Sequence, residues 1–398
     1  MSPTVLRCFD EPLTGRLRAL GGTHRAASLA ATWRRFAPLA PRVGITRLAD
    51  LTGLDTLGVP VFAAIRPMGR SLSTSQGKGT TALAARVSAL MESLETWHAE
   101  ERAPDRTATA RALGPSTIAL ARALPRGPRR LDVDARLPWV RGWSLPRARP
   151  VWVPWQSVTL DCVPVAREAP VFDVSSNGLA SGNTLGEAIV HGLCEVIERD
   201  AEAAWRAGGA DRRVVLDTVA PPVARLVERL RAGGVRVWLW DLTSDVGVPV
   251  FGCGLMHDPR EAGWRAVGFY QGFGCHVDPA IAMLRAITEA VQTRLTYIAG
   301  GRDDFFPDDY ARATDRALLD EIWARYAAPP DESIDAREHP RPPAGEREVG
   351  AVLDHLLVRL ADSGSAETIV VDLRQPGLGV PVVKVLVPGR ANRVAGLG

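Results

Sequence analysis

Asn177-Gly-Leu-Ala-Ser-Gly-Asn-Thr-Leu-Gly-Glu-Ala-Ile-Val-His-Gly-Leu-Cys-Glu-Val-Ile-Glu-Arg-Asp200 is the stretch on which the reading of this chain turns. It opens on glycines. Thr184 and Glu187 then form a capping box, and a helical pattern runs on to about Arg206. Glu195 and Glu198 share one face of that helix, with Arg199 beside them. The arrangement recurs twice. Ser75-Gln-Gly-Lys-Gly-Thr80 opens a helix carrying Glu92 and Glu95, and Gln271-Gly-Phe-Gly-Cys-His276 opens one carrying Arg285, Glu289 and Gln292. The leading glutamate lies 13 residues past the nearest glycine in two copies (79 to 92, 182 to 195) and 15 past Gly274 in the third.

Three helices presenting Glu92, Glu95, Glu195, Glu198 and Glu289 inward would make an anionic pocket that is costly unless cations enter it. All-oxygen ligands suit Mg2+, which completes its shell with water and phosphate oxygens. Glycines at helix starts are expected to let backbone N–H groups approach phosphates, where the helix dipole also favours anions. Arg199 and Arg285 are placed to neutralise a transferring phosphoryl group. One Glu-x-x-Glu alone is ordinarily a solvated face; three copies, each after a Gly-rich opening and bordering an apolar stripe, favour a magnesium–nucleotide site. Gly77-Lys-Gly79 is not a Walker loop, and Gly272-Phe-Gly274 lacks the third glycine of a dinucleotide fingerprint. His98 and His191 show no metal-ligand spacing and read as packing or polar-face residues. Cys275 reads as a buried small residue.

The 398 residues are 46% apolar and 23% charged with a net charge of +3, and the basic residues are scattered. Neither nucleic acid nor a membrane is implied as a partner. Of 48 basic residues only Lys78 and Lys384 are lysines, which marks both. Five cysteines without a Cys-x-x-Cys pair argue against structural zinc and for reduced thiols. With no signal sequence and no long apolar run, the expected location is the cytoplasm.

Elsewhere the pattern predicts a helix over 28–39 and two strands over 44–53 and 59–66. Residues 103–150 read as a helix flanked by irregular connections, followed by strands over 151–160 and 171–175. Residues 221–233 read as a helix and 235–240 as a strand. Asp278 and Pro279 give the third carboxylate helix its start signal. The stretch 328–347 reads as a surface loop, and 368–373 and 381–387 as buried strands.

Ser75-Gln-Gly-Lys-Gly with Ser88-Ala-Leu-Met-Glu-Ser-Leu-Glu95 resembles the first signature of YcaO-domain proteins, and the stretch 177–200 resembles the second. Gln271-Gly-Phe-Gly-Cys-His-Val-Asp-Pro279 with Leu284-Arg-Ala-Ile-Thr-Glu-Ala-Val-Gln292 resembles the third. The likeness covers about residues 20–320. Gly22-Thr-His-Arg25 and Gly44-Ile-Thr-Arg-Leu-Ala-Asp-Leu-Thr-Gly-Leu-Asp55 are similar to the subgroup that works beside a TfuA partner protein.

The resemblance implies an α/β (α+β mixed) fold with mixed sheets, one catalytic unit over 1–398 with C-terminal strands at about 366–390. It further implies ATP-dependent phosphorylation of a peptide-backbone amide oxygen in a precursor peptide or protein, in a homodimer. By the same likeness Glu92, Glu195 and Glu289 bind one Mg2+, and Glu95 and Glu198 a second. Arg25, Lys78, Ser88, Asn183, Glu187, Arg199 and Arg285 contact the nucleotide. The last nine residues, Arg390 to Gly398, lack the Pro-x-Pro-x-Pro tail of many azoline-forming members. With the TfuA-like opening, this favours thioamide formation from an external sulfur donor. Cyclodehydration of Cys, Ser or Thr is the alternative, and a catalytically silent peptide-binding scaffold a second one.

Overall fold

The computed structural model describes residues 5–20, 22–165, 169–260, 268–340 and 347–391. The chain's terminal segment 392–398, on which the expectation about the tail rests, lies outside them.

Three helices organise the molecule: α1 (Ala82–Glu101), α2 (Leu185–Arg206) and α3 (Pro279–Ala299). Their starts are sharp because Thr81, Thr184 and Asp278 each accept a hydrogen bond from a first-turn backbone N–H. The segments before them, expected as glycine turns, are strands: β1 (Thr74–Lys78), β2 (Leu179–Ser181) and β3 (Tyr270–Cys275). Glycine serves here for close approach of two backbones. A Cβ on Gly77 would lie 1.9 Å from the backbone nitrogen of Ala89, and one on Gly272 2.1 Å from that of Ala290. Alanines on the facing sides of α1 and α3 complete the fit.

β1 ends a three-stranded antiparallel sheet with Arg47–Asp50 and Val61–Ile65. β2 edges a six-stranded antiparallel sheet, paired with β4 (Val382–Leu386) and then Ile369–Asp372, Arg136–Ser144 and Arg149–Pro154; Arg106–Thr109 joins off Arg136–Ser144. β3 edges a five-stranded sheet continuing through Val250–His257, Val235–Asp241, Arg212–Val214 and Glu332–Ile334, the last pair parallel.

Each helix backs its own apolar core. Leu90 and Leu94 of α1 pack with Val140, Ile369 and Val371. Ile189, Leu193 and Ile197 of α2 pack with Leu353, Leu356 and Val385. Ile287 and Val291 of α3 pack with Leu239, Phe251 and Leu255. Each helix also spans to the next strand: α1 touches β1 and β2, α2 touches β2 and β3, and α3 touches β3 and β1. The three strand–helix copies thus close in a ring, apolar faces outward into three cores and polar faces toward one centre. Two nearly solvent-free ion pairs pin the ring. Arg294 of α3 holds Asp55 through 2.7 and 3.0 Å bonds, and Arg66 holds Glu100 of α1 at 2.6 and 2.7 Å.

Several expectations are corrected. Residues 103–150 hold the expected helix, at Pro115–Ala123, but strands Arg106–Thr109 and Arg136–Ser144 stand where irregular connections were expected. The expected strand at 151–160 begins at Arg149, stops at Pro154 and turns into a short 3-10 helix. At 171–175 there is only an isolated bridge from Phe172 to Arg126. The expected loop 328–347 contains the Glu332–Ile334 strand, with Ile334 and Ala336 buried; its residues 341–346 lie outside the described set. Helix Val349–Asp362, absent from the expectation, buries Val349, Val352, Leu353, Leu356 and Leu360 on one stripe. Among the described residues no helix is long and apolar enough to cross a membrane, and all five cysteines are free.

Candidate active site

The three copies share one register. Helices α1, α2 and α3 begin at 82, 185 and 279, each ten residues before Glu92, Glu195 and Glu289. In that register His276 stands where Gly79 and Gly182 stand, so the apparent spacing of 15 in the third copy came from the wrong reference glycine. One helical turn before the leading glutamates lie Ser88, His191 and Arg285; three residues after them lie Glu95, Glu198 and Gln292. All but Glu198 are half-buried, as expected of the walls of a cleft rather than of a core or a solvated face.

The later position in each helix locks onto the strand of the next copy. Ser181 in β2 donates its N–H and its hydroxyl to Glu95 Oε1, at 2.8 and 2.6 Å. Cys275 in β3 donates its N–H to Glu198 Oε2 at 2.8 Å. Gln292 Nε2 donates to the carbonyl of Gln76 in β1 at 2.8 Å. Because the third partner is a carbonyl, the third copy needs a donor, which is the physical reason its pair is Glu-x-x-Gln.

The leading glutamates carry the charge. Glu289 accepts from Lys78 Nζ at 2.5 Å and has Arg199 Nη2 at 3.5 Å. Burial opposes its ionisation, but these two cations overcome it and hold the carboxyl at about 2. For the others the neighbouring cations and hydrogen bonds do not outweigh burial. Burial, with Glu92 and Glu195 nearby, lifts Glu95 to about 8. Burial, with Glu198 nearby, lifts Glu195 to about 7. Glu92 and Glu198 are raised for the same leading reason, and Glu289 adds to both. Arg199 lies 3.5 Å from Glu198 Oε1 and donates to Glu202 at 2.7 Å. Among the described residues no three His, Cys, Asp or Glu side chains already close round a common point as a metal cage. The five glutamates form a chain of interacting charges, with Lys78 and Arg199 at one end.

The earlier layer is basic. Arg25 donates to His191 Nδ1 at 2.8 Å and lies 3.8 Å from Glu187. Burial, Arg25 and Arg285 push His191 well below the usual histidine range, so it is a neutral acceptor. Glu187 accepts from the Ala26 N–H at 3.0 Å and from Asn183 Nδ2 at 3.2 Å, and Asn183 Oδ1 accepts from Thr32 at 2.9 Å. Arg285 is charged beside Glu198 and Glu289, yet its Nε is buried with no acceptor among the described residues. That is an orphaned donor next to the carboxylates.

Every candidate metal or nucleotide residue named from sequence therefore lies in this ring or in the layer beside it. Three further residues, not assigned to the site from sequence, lie in or against it. His191, read as a packing or polar-face residue, takes the polar role by accepting from Arg25. Lys384 in β4 is buried, donates to the Ser175 carbonyl and faces Glu195; burial brings its ammonium down to about 8 while Glu195 opposes. Its rarity as a lysine was the available signal. His24, packed 5.1 Å from His276, has a buried Nδ1 with no partner among the described residues.

A half-buried cluster of carboxylates beside an orphaned arginine fits a metal–phosphate centre, and comparisons with known proteins point to the same cofactors. The profile of the YcaO family, described as a YcaO cyclodehydratase, ATP- and Mg2+-binding, matches residues 76–391. An uncharacterized protein in the tfuA 3′ region of Rhizobium leguminosarum bv. trifolii is 37% identical over 391 residues, covering 94% of this chain and 90% of that protein. The structure of YcaO from Methanopyrus kandleri bound with AMPPCP and Mg2+ superposes with a TM-score of 0.74 at 27% identity, covering 93% of each chain. A heterocyclase in complex with substrate and cofactor gives a TM-score of 0.74 at 26% identity, over 93% of this chain and 53% of that one. Profile, relative and fold agree with the ring of carboxylates: this chain belongs to the YcaO family of ATP- and Mg2+-binding peptide-modifying enzymes.

Proposed function

We propose that this chain uses ATP to phosphorylate a backbone amide oxygen in a ribosomally made peptide or protein, and that sulfur then displaces phosphate to leave a thioamide. The observation that carries the reading is the coupled ring of Glu92, Glu95, Glu195, Glu198 and Glu289, four of which burial and mutual repulsion make poor anions on their own. Such a ring is relieved by divalent cations, so the residues fit the metal. Glu92, Glu195 and Glu289 would hold one Mg2+ and Glu95 and Glu198 a second. Bound there, Mg2+ would supply neutralisation of the phosphate charge. Arg285 and Arg199 present fixed positive charge to the transferring phosphoryl group. Arg25, Lys78, Ser88, Asn183 and Glu187 form the nucleotide's surroundings.

In the first step the amide oxygen forms a bond to the γ-phosphorus and ADP leaves, while the amide N–H proton departs as C=N forms. Hydrosulfide then adds to that carbon, its proton passes to nitrogen, and phosphate leaves with the original oxygen. Thioamide formation is supported by the tfuA neighbourhood of the Rhizobium relative, and a TfuA-like partner and an external sulfur donor belong to the proposal. So do a cytoplasmic location, a homodimer and a single catalytic unit.

The family description and the heterocyclase likeness favour a second reading, ring closure by a neighbouring Cys, Ser or Thr. Mass spectrometry after incubation with ATP, Mg2+, sulfide, a TfuA-like protein and candidate peptides separates the two. Exchange of oxygen for sulfur raises the peptide mass, and loss of water lowers it. An unmodified peptide with every combination would defeat both.

A further inference from the structure

The five-stranded sheet forks. Arg212–Val214 and Val235–Asp241 pair only at Arg213 and Trp240, after which the first strand turns away toward Ile334. Val235–Leu239 is left with a backbone partner on one side only among the described residues. A cleft of about 410 Å3 opens along that edge, floored by Val214, Leu216, Val237 and Leu239 and flanked by Arg231 and Arg236. Both arginines are exposed, and neither forms an ion pair among the described residues; Arg236 acts on Asp258 only through space and lies over Trp238 and Trp323.

An open strand edge beside apolar pockets is the structural requirement for strand addition by an extended peptide. The flanking charge selects acidic side chains. The reactive cleft has the opposite sign, with five glutamates. Val250–His257 separates that edge from β3, whose Cys275 N–H meets Glu198 of the reactive cleft. We propose that the Val235–Leu239 edge captures an extended, acidic recognition segment of the peptide substrate as an added strand. The acidic segment is drawn to the arginine fork and repelled from the glutamate ring, so charge alone orients the substrate. This rests on the peptide-modifying reading above.

The test uses a short fluorescein-labelled peptide of alternating valine and glutamate, followed by anisotropy. Its expected affinity is at least about tenfold higher than that of the valine–lysine analogue. Arg231→Glu with Arg236→Glu inverts the preference. Methylating alternate backbone nitrogens of the peptide, which leaves its charge intact, abolishes binding. Amide exchange at 235–239 slows when the peptide is bound. Absence of binding, equal binding of the N-methylated peptide, or indifference to the double variant overturns the proposal; so does a peptide effect that only dissociates a dimer of this chain. Binding of a non-hydrolysable ATP analogue is read on the same samples and stays unchanged in the double variant. Peptide binding without nucleotide binding defeats the functional reading alone, and the reverse result defeats this inference alone.

Discussion

Lys78 Nζ lies 2.5 Å from Glu289 Oε2, and this contact closes the ring by joining the first strand–helix copy to the third. It also explains why Glu289 alone among the five glutamates is a strong acid. Its carboxyl is depressed to about 2 against an ordinary 4.5. A depressed carboxyl contributes stability that is present above pH 4.5 and is lost as pH falls toward 2. Lys78→Met is therefore expected to unfold at a higher pH than the parent on acid titration followed by circular dichroism. An unchanged acid midpoint would mean that the contact carries no charge coupling.

The other carboxyls predict the opposite slope. Glu95 at about 8 and Glu195 at about 7 sit above their unfolded value, so the folded chain holds protons that the unfolded chain releases. Their contribution is fully present below pH 4.5 and is lost as pH rises through 7 to 8. The metal-free protein should lose melting temperature across that window. Mg2+ with nucleotide should restore more at pH 8 than at pH 6, with proton release on binding. Calorimetry in buffers of different ionisation enthalpy reads the protons directly.

Glu195→Gln should separate function from stability. Removing one charge from a crowded anionic ring relieves repulsion, so the metal-free variant is expected to melt no lower than the parent. ATP-dependent peptide modification should fall at least about a hundredfold. A destabilised variant that retained activity would contradict both halves.

The glycines test the packing account. Gly77→Ala puts a methyl carbon against the backbone of Ala89, which cannot yield without separating β1 from α1. A loss of about 2–3 kcal/mol is expected in urea titration, whereas a glycine serving only phosphate contact would leave stability intact and weaken nucleotide binding alone. Asp55→Ala leaves Arg294 buried and uncompensated and should cost about 3–5 kcal/mol by the same assay.

How much of this was legible in sequence depends on the range of the forces involved. Thr184 and Asp278 announced their helices because capping is local. The pairs Glu92–Glu95 and Glu195–Glu198 announced a shared face because helical periodicity is local as well. β1 and β3 were misread because Ser-Gln-Gly-Lys-Gly and Gln-Gly-Phe-Gly-Cys carry turn-like glycines; what makes them strands is the alanine-rich helix that follows, at Ala85 and Ala89 or at Ala286 and Ala290. That matching pattern was present in the sequence. Lys384 stood out by rarity, but its place beside Glu195 depends on β4 pairing with β2 across two hundred residues of chain. The closure of the ring depends on three sheets at once, and no local pattern encodes it.

The central claim is that carboxylates from α1, α2 and α3 jointly hold the metal–nucleotide. Anomalous diffraction from crystals grown with Mn2+ and a non-hydrolysable ATP analogue tests it most directly. The account predicts manganese peaks bounded by Glu92, Glu195 and Glu289, with triphosphate density reaching Arg285. Peaks elsewhere on the molecule, with these three side chains unengaged, would contradict it.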